Sequence, residues 1–255
     1  MNIEEGSLVL IYIDRKRKKI VRVERGREYA SDRGKIDLSE LIGRRYGEVV
    51  ETSLGFKAYL LMPTLEDILY SFSRRTQVIY PKDVALMAIK LGAGKGKRCL
   101  EGGTGSGFVT ATLSWFGCEV HTFEVRREHL ETARLNLRKF GLNENVTFVK
   151  ASLKEVAEVY PKEYFDLAII DVGDPWKVID SVWEVLKGGS SVAFWVPTFN
   201  QLEKLKAAIR GKFIWIEALE VSERRLKVEE GATRPEQFGI TFTGYMAIVR
   251  KVNNK

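Results

Sequence analysis

The sequence predicts an α/β fold, a doubly wound and mostly parallel sheet, preceded by a small β-rich N-terminal domain. Three observations predict it. From about residue 75 onward, helical stretches alternate with short apolar strands, the rhythm of crossovers that cover both faces of a parallel sheet. One strand, "KRCLEGG", runs into the glycine-rich turn "GGTGSG" (102–107) and then into a helical stretch, as at ligand sites on the carboxyl ends of such strands. Residues 1–62 differ: short β-branched runs are separated by glycine and charged residues. The expected domains are therefore 1–62 (small, β-rich), 63–74 (a connecting helix) and 75–255 (the α/β domain).

Composition narrows the class. In 255 residues, 45% are hydrophobic and 29% charged, enough apolar surface for a buried core and too much for a disordered chain. No apolar run approaches the ~20 residues that span a bilayer. Acids near the start, Glu4 and Glu5, stand where a signal peptide carries basic residues, so a cytoplasmic protein is expected. Cys99, Cys118, His121 and His129 lack zinc-ligand spacing, and no metal site is expected. Both cysteines lie in apolar, strand-like segments and read as reduced and buried. The net charge of +7 suits a polyanionic partner. Scarce glutamine beside abundant Lys, Arg and Glu points to a thermophilic source.

In chain order, "SLVLIYID", "KIVRVER", "GEVVETS" and "FKAYLLM" read as the strands of a small antiparallel sheet or barrel. "RKRKK" (Arg15, Lys16, Arg17, Lys18 and Lys19) falls between the first two, as a solvated turn or a phosphate-contacting arm. In "PTLEDILYSF", Thr64 can cap a short helix that buries Leu65, Ile68, Leu69 and Phe72. Beyond it, "PKDVALMAIKLG", "GFVTATLSWFG", "REHLETARLNLRKFG", "WKVIDSVWEVLKGG" and "NQLEKLKAAIR" read as helices. They alternate with the strands "KRCLEGG", "EVHTFEV", "NVTFVKA", "FDLAIIDV" and "SSVAFWVP".

Spacing narrows the ligand of the glycine turn. "GAGKGKR" precedes the strand and lacks Ser or Thr after its lysine, so it is no Walker loop. Gly103, Gly105 and Gly107 are one residue tighter than a dinucleotide fingerprint, with Glu101 just before them. S-adenosylmethionine has no pyrophosphate to hold. An acid can receive its ammonium while glycine amides approach its carboxylate and ribose, so the order E-x-G-x-G-x-G fits it better. Glu124, at the end of the next strand, can accept both ribose hydroxyls. Ser152 stands where many such enzymes hold adenine with a carboxylate, leaving the Ser152 hydroxyl or the Leu153 backbone for that task. "FDLAIIDVGDPW" ends its strand at Asp171, beside the donor's place. An acid with a Pro–aromatic pair there suits a flat, nitrogen-bearing substrate, while Asp174, directly before Pro175, is the better helix cap.

"TQVIYPKD" (76–83), "LEGGTGSG" (100–107), "IIDVGDPW" (169–176), "PTFNQ" (197–201), "TRPEQF" (233–238) and "TGYM" (243–246) together resemble the tRNA (adenine-N1)-methyltransferases that modify the T-loop adenine, at position 58 or at 57 and 58. The likeness covers about residues 60–250. It implies a Rossmann-like class I methyltransferase fold and S-adenosylmethionine as cofactor. The donor would lie over Gly103, Thr104, Gly105, Ser106 and Gly107, with Gln77 at its methionine end, Glu124, Ser152 and Leu153 on the adenosine, and His129 nearby. Asp171, beside the cofactor, would position the target adenine, Tyr80 would line the base pocket, and Arg234 would meet RNA or a neighbouring subunit. A tRNA substrate and a homotetramer are implied. Three positions depart from the family's pattern: Ser152 replaces an Asp, Phe242 a His and Gly173 a Pro. Two other readings stay open, a methyltransferase of protein carboxyls or small molecules and a non-catalytic RNA-binding paralogue. A nicotinamide oxidoreductase is disfavoured by the glycine spacing.

Overall fold

The computed structural model describes residues 1–237 and 239–253; Phe238, which closes the "TRPEQF" motif, lies outside them. The chain divides into two compact units, Met1–Phe72 and Ser73–Lys255.

The first unit holds β1 (Leu8–Tyr12), β2 (Lys18–Arg22), β3 (Glu28–Ser31), β4 (Gly34–Asp37), β5 (Val49–Glu51), β6 (Lys57–Leu61) and α1 (Leu65–Tyr70). Four strands form an antiparallel sheet in the order β2-β1-β6-β5. Period-two alternation drives it: Val9, Ile11, Ala58 and Leu60 point into one small core with Ile3, Val23 and Leu41. The β3–β4 hairpin has no counterpart in the sequence reading, because its four-residue strands are too short to separate from a turn. It turns on Asp32 and Arg33 and buries Tyr29 and Ile36. At α1, Thr64 Oγ1 accepts from the Asp67 amide and Asp67 accepts from the Thr64 amide, a reciprocal capping box that contributes about 1 kcal/mol.

The second unit runs α2 (Pro81–Leu91), β7 (Arg98–Gly102), α3 (Phe108–Trp115), β8 (Glu119–Phe123), α4 (Arg127–Lys139), β9 (Val146–Val149), α5 (Val156–Val159), β10 (Phe165–Ile170), α6 (Ile179–Val185), β11 (Leu186–Val196), α7 (Phe199–Ala208), β12 (Phe213–Leu219), β13 (Leu226–Lys227), β14 (Arg234–Pro235) and β15 (Tyr245–Lys251). Seven strands pair in the order β12-β15-β11-β10-β7-β8-β9. All pairings are parallel except those of β15 with β11 and β12. The chain fills one side of β7 with β8 and β9, then the other with β10 and β11. The strand order therefore reverses between β7 and β10, where a crevice opens at the carboxyl ends.

Alternate residues of β10 serve opposite faces: Ala168 and Ile170 join one core cluster, Leu167 and Ile169 the other. Burial on both faces is why this strand reads as a continuous apolar run. The helix expected over 176–189 is shorter. A 3-10 turn at Pro175–Lys177 precedes α6, and the chain is extended from Leu186. Gly188 and Gly189 are poor helix formers, and Gly189 takes a positive φ of 77°. No helix among the described residues is long and apolar enough to cross a membrane.

Candidate active site

The site begins where β7 runs into its glycine turn. A Cβ on Gly103 (φ +90°) would overlap the Asp171 carbonyl, and one on Gly107 (φ +89°) would meet Leu137 at 2.7 Å. The chain's own packing thus demands these two glycines: the turn must pass against the end of β10 and against α4. The Gly103 amide donates to the Phe123 carbonyl at 2.9 Å, and the Asp171 amide to Gly102 at 2.8 Å. These bonds draw the ends of β7, β8 and β10 together.

Three carboxylates converge there. Glu101 is 1% exposed; its Oε2 accepts from Thr110 Oγ1 at 2.6 Å, and its Oε1 has no hydrogen-bond partner. Burial pushes its pKa up to about 8. Asp171 is pushed up to about 7, first by burial and then by the charge of Glu124. Neither carboxyl has a lysine or arginine partner among the described residues. Glu124 Oε2 accepts from the Gly105 amide at 3.2 Å and Oε1 from the Arg126 amide at 3.0 Å. His129, in the first turn of α4, holds Nδ1 3.8 Å from Glu124 Oε2, beyond hydrogen-bond range, and that buried nitrogen is unpartnered. Buried Glu101 and half-buried Asp171, without cations and beside orphaned polar atoms, form a site prepared for a positively charged polar ligand.

Next to Glu124 lies a cavity of about 240 Å³ lined by residues including Gly103, Val125, Ser152, Leu153, Val172 and Val178. A larger hollow of about 350 Å³ between α7 and β12 contains none of the three acids. Ser152 has local work: its Oγ accepts from the Lys154 amide at 3.3 Å, while Glu155 accepts from the Ser152 amide. The signal for this capping box is the "SLKE" pattern, a Ser three residues before a Glu.

Other expected ligand residues are placed differently. The Thr104 hydroxyl bonds Thr122 at 2.5 Å and the Ser106 hydroxyl meets Thr76 at 3.1 Å, both in the interior. These hydroxyls lock the turn to β8 and to the segment before α2, which leaves the backbone of the two residues for the donor expected over the turn. That segment crosses the glycine turn. Asn136 on α4 fastens it, accepting from the Ser73 amide and donating to the Ser73 and Ser106 carbonyls. Gln77, one residue past Thr76, is exposed, and the half-buried Tyr80 precedes α2. Asp174 does not cap its turn as expected; its carboxylate pairs with Lys177 at 2.6 Å, a nearer and stronger partner. One face of Trp176 is covered by the Lys204 ammonium, 4.0 Å from the ring centre.

"YPKD" and "TGYM" meet in a buried network. Lys82 Nζ donates to Asp83 at 2.8 Å, to the Val221 carbonyl at 2.7 Å and to Thr243 Oγ1 at 2.7 Å, and Thr243 donates to Asp83 at 2.8 Å. Asp83 is fully buried, so two motif residues serve to hold the strand entering the sheet as β15. Among the basic residues, Arg17 is bound by Asp14 and Asp32, and Lys18 by Asp67. Lys18 and Lys19 lie on β2, while Arg15, Lys16 and Arg17 occupy the connection. Arg234 is exposed on β14.

A family model described as "tRNA methyltransferase complex GCD14 subunit" matches residues 55–242. The tRNA (adenine(58)-N(1))-methyltransferase TrmI of Thermus thermophilus is 32% identical over 247 residues, 95% of this chain and 96% of that one. The crystal structure of tRNA (m1A58) methyltransferase TrmI from Aquifex aeolicus has 35% identity and a TM-score of 0.86, with both chains fully covered. A Thermotoga maritima structure described as a SAM-dependent O-methyltransferase has 33% identity and a TM-score of 0.89, covering all of this chain and 96% of its own.

Proposed function

The chain belongs to the family of tRNA methyltransferase complex GCD14 subunits, and we propose on that premise that it methylates N1 of adenine 58 in the tRNA T-loop, with adenine 57 the candidate second acceptor. The observation that carries the reading is the pair of buried Glu101 and half-buried Asp171, carboxyls without cations on either side of the strand-order reversal. When bound, S-adenosylmethionine supplies an electrophilic methyl group on a sulfonium.

The residues fit that group. Glu101 Oε1, buried and unpartnered, suits its ammonium; Glu124 suits the ribose hydroxyls; Leu153 and Val125 offer walls for the adenine. Gln77 is assigned to the methionine end, His129 to the neighbourhood of Glu124, and the backbone of residues 103–107 to the donor's flank. Asp171 accepts a hydrogen bond from the exocyclic amino group of the target adenine and offsets the positive charge that the ring acquires. N1 carries its own lone pair, so no general base is needed, and orientation supplies most of the rate. Tyr80 lines the base pocket. Lys16, Lys19 and Arg234 contact RNA phosphates, a homotetramer extends that basic surface, and the enzyme is cytoplasmic.

The test is methylation of a tRNA transcript, with reverse-transcription stops mapped afterwards. Stops at position 58 support the reading. Labelled methyl on protein or small molecules and none on tRNA would replace it with the broader reading that the Thermotoga maritima description favours. Absence of S-adenosylmethionine binding by calorimetry would leave a non-catalytic RNA-binding paralogue.

A further inference from the structure

Three aromatic rings lie at the carboxyl-end edge of the sheet, apart from the three acids. Phe199 opens α7 directly after β11, and Tyr245 opens β15 as the register partner of Val196, the last residue of β11. The Phe199 and Tyr245 rings stack with centroids 4.6 Å apart and planes 24° from parallel. Phe242 leans on Tyr245 at 5.0 Å. These rings are not core: Phe199 is 65% exposed and Phe242 45%. An open apolar face of this kind on a globular chain marks a contact surface.

The backbone beneath is built to hold it. Gly244 is pressed against Trp195, where a Cβ would come within 2.6 Å of the indole. Thr243 is tied to Lys82 and Asp83 in their buried network. Thr198 caps α7 by accepting from the Gln201 amide. Two exposed phenylalanines are thus seated on an immobilised frame.

Their position ties them to the site. Ile170 of β10 pairs with Phe194 of β11, and Val196 of β11 with Tyr245 of β15. Asp171 and Tyr245 therefore lie on the same edge, two interstrand spacings or roughly 10 Å apart. Gln201 Nε2, from the first turn of α7, reaches the Gly173 carbonyl at 3.5 Å, joining the helix to the loop beyond Asp171. Trp176, the aromatic wall expected for the substrate, has one face under Lys204, and the three-ring stack adds exposed ring surface on this edge. An exposed ring face complements an unpaired nucleobase, since every base has a π-face.

We propose that Phe199, Tyr245 and Phe242 form a stacking platform for an unpaired tRNA base adjoining the adenine presented to Asp171. The proposal rests on the reading of the chain as a tRNA adenine methyltransferase. It assigns a ring's role to Phe242 at a position where the resembled family carries histidine.

The experiment compares wild type with Phe199→Leu/Phe242→Leu, which keeps apolar volume and removes two rings, and with Phe242→Trp, which keeps a ring. Steady-state kinetics on a tRNA transcript, calorimetry with S-adenosylmethionine and sedimentation equilibrium are measured together. The KM for tRNA is expected to rise about tenfold or more in the double Leu variant, the scale of one lost base stack. Cofactor affinity stays unchanged, and Phe242→Trp keeps the wild-type KM. A 2-aminopurine beside the target adenine is quenched by wild type and not by the double variant. An unchanged KM with unchanged quenching overturns the proposal, as does a changed subunit number with KM unaltered, which would assign the rings to a contact between copies. Wild type that transfers no methyl to tRNA is a separate result: it overturns the underlying reading, and the platform with it.

Discussion

Asp171 and Glu101 carry the chemistry through their surroundings. Each is an ordinary carboxylate in sequence; each becomes unusual because burial penalises its charge and no cation offsets it. Replacing Asp171 with Ala is expected to leave S-adenosylmethionine affinity nearly intact by calorimetry. Methyl transfer to tRNA should fall on the order of 10²–10³-fold, the scale of a lost charge-stabilising group; unchanged turnover would remove Asp171 from its role. The same pair sets a pH dependence. From ordinary values of 3.8 and 4.5, Asp171 and Glu101 rise to about 7 and about 8, so the folded chain keeps protons that the unfolded chain has released. Their contribution to stability is present at low pH and is lost as pH climbs through that window. A cationic ligand favours the ionised forms and should reverse the loss. Melting curves of free and cofactor-loaded protein should therefore diverge steadily between about pH 5 and 8, and parallel curves would contradict the assignment.

At the scale of elements, the glycine turn shows why a motif is ambiguous when read alone. Four glycines suggest a backbone approached by a ligand, yet Gly103 and Gly107 are required by the Asp171 carbonyl and by Leu137 on α4. Gly105 is the roomier position, with Thr76 Oγ1 at 3.1 Å from an added Cβ, although its φ of +53° still carries the left-handed cost of about 1–2 kcal/mol. Gly103→Ala should therefore cost on the order of 3 kcal/mol in urea unfolding, and Gly105→Ala clearly less. Equal losses would mean that strain rather than overlap governs the turn. The capping residues Thr64 and Ser152 belong to this scale also: each stands in the sequence as a Thr or Ser three residues before an acid. Thr64 reads as a cap and Ser152 as a ligand contact, because the strand-end position of Ser152 outweighs its cap signal.

Over the whole molecule, the strand-order reversal between β7 and β10 gathers Glu101, Glu124 and Asp171 from three separate strands. The excess positive charge is distributed less simply than its sequence suggests. Within "RKRKK", Arg17 and Lys18 are bound to acids of their own unit, whereas Lys16 and Lys19 are exposed. Neutralising Lys16 and Lys19 to Gln should weaken tRNA binding and lower the salt slope by up to about two, close to one per lost phosphate contact. An unchanged slope would return the stretch to a solvated turn.

Much of this protein is written locally. The alternation of strand and helix, the buried run of β10, the acids at three strand ends and the motifs of the family are all contiguous patterns, and contiguous patterns report backbone periodicity and turn chemistry directly. What required the folded chain is who meets whom across long separations. Lys82 and Asp83 find Thr243, Asn136 fastens Ser73 to Ser106, and Thr104 and Ser106 turn inward. Glu101 ends with one oxygen unpartnered, and Phe199 comes to stack on Tyr245. Burial, desolvation and ring stacking depend on neighbours supplied by distant segments, so no local window of sequence can contain them.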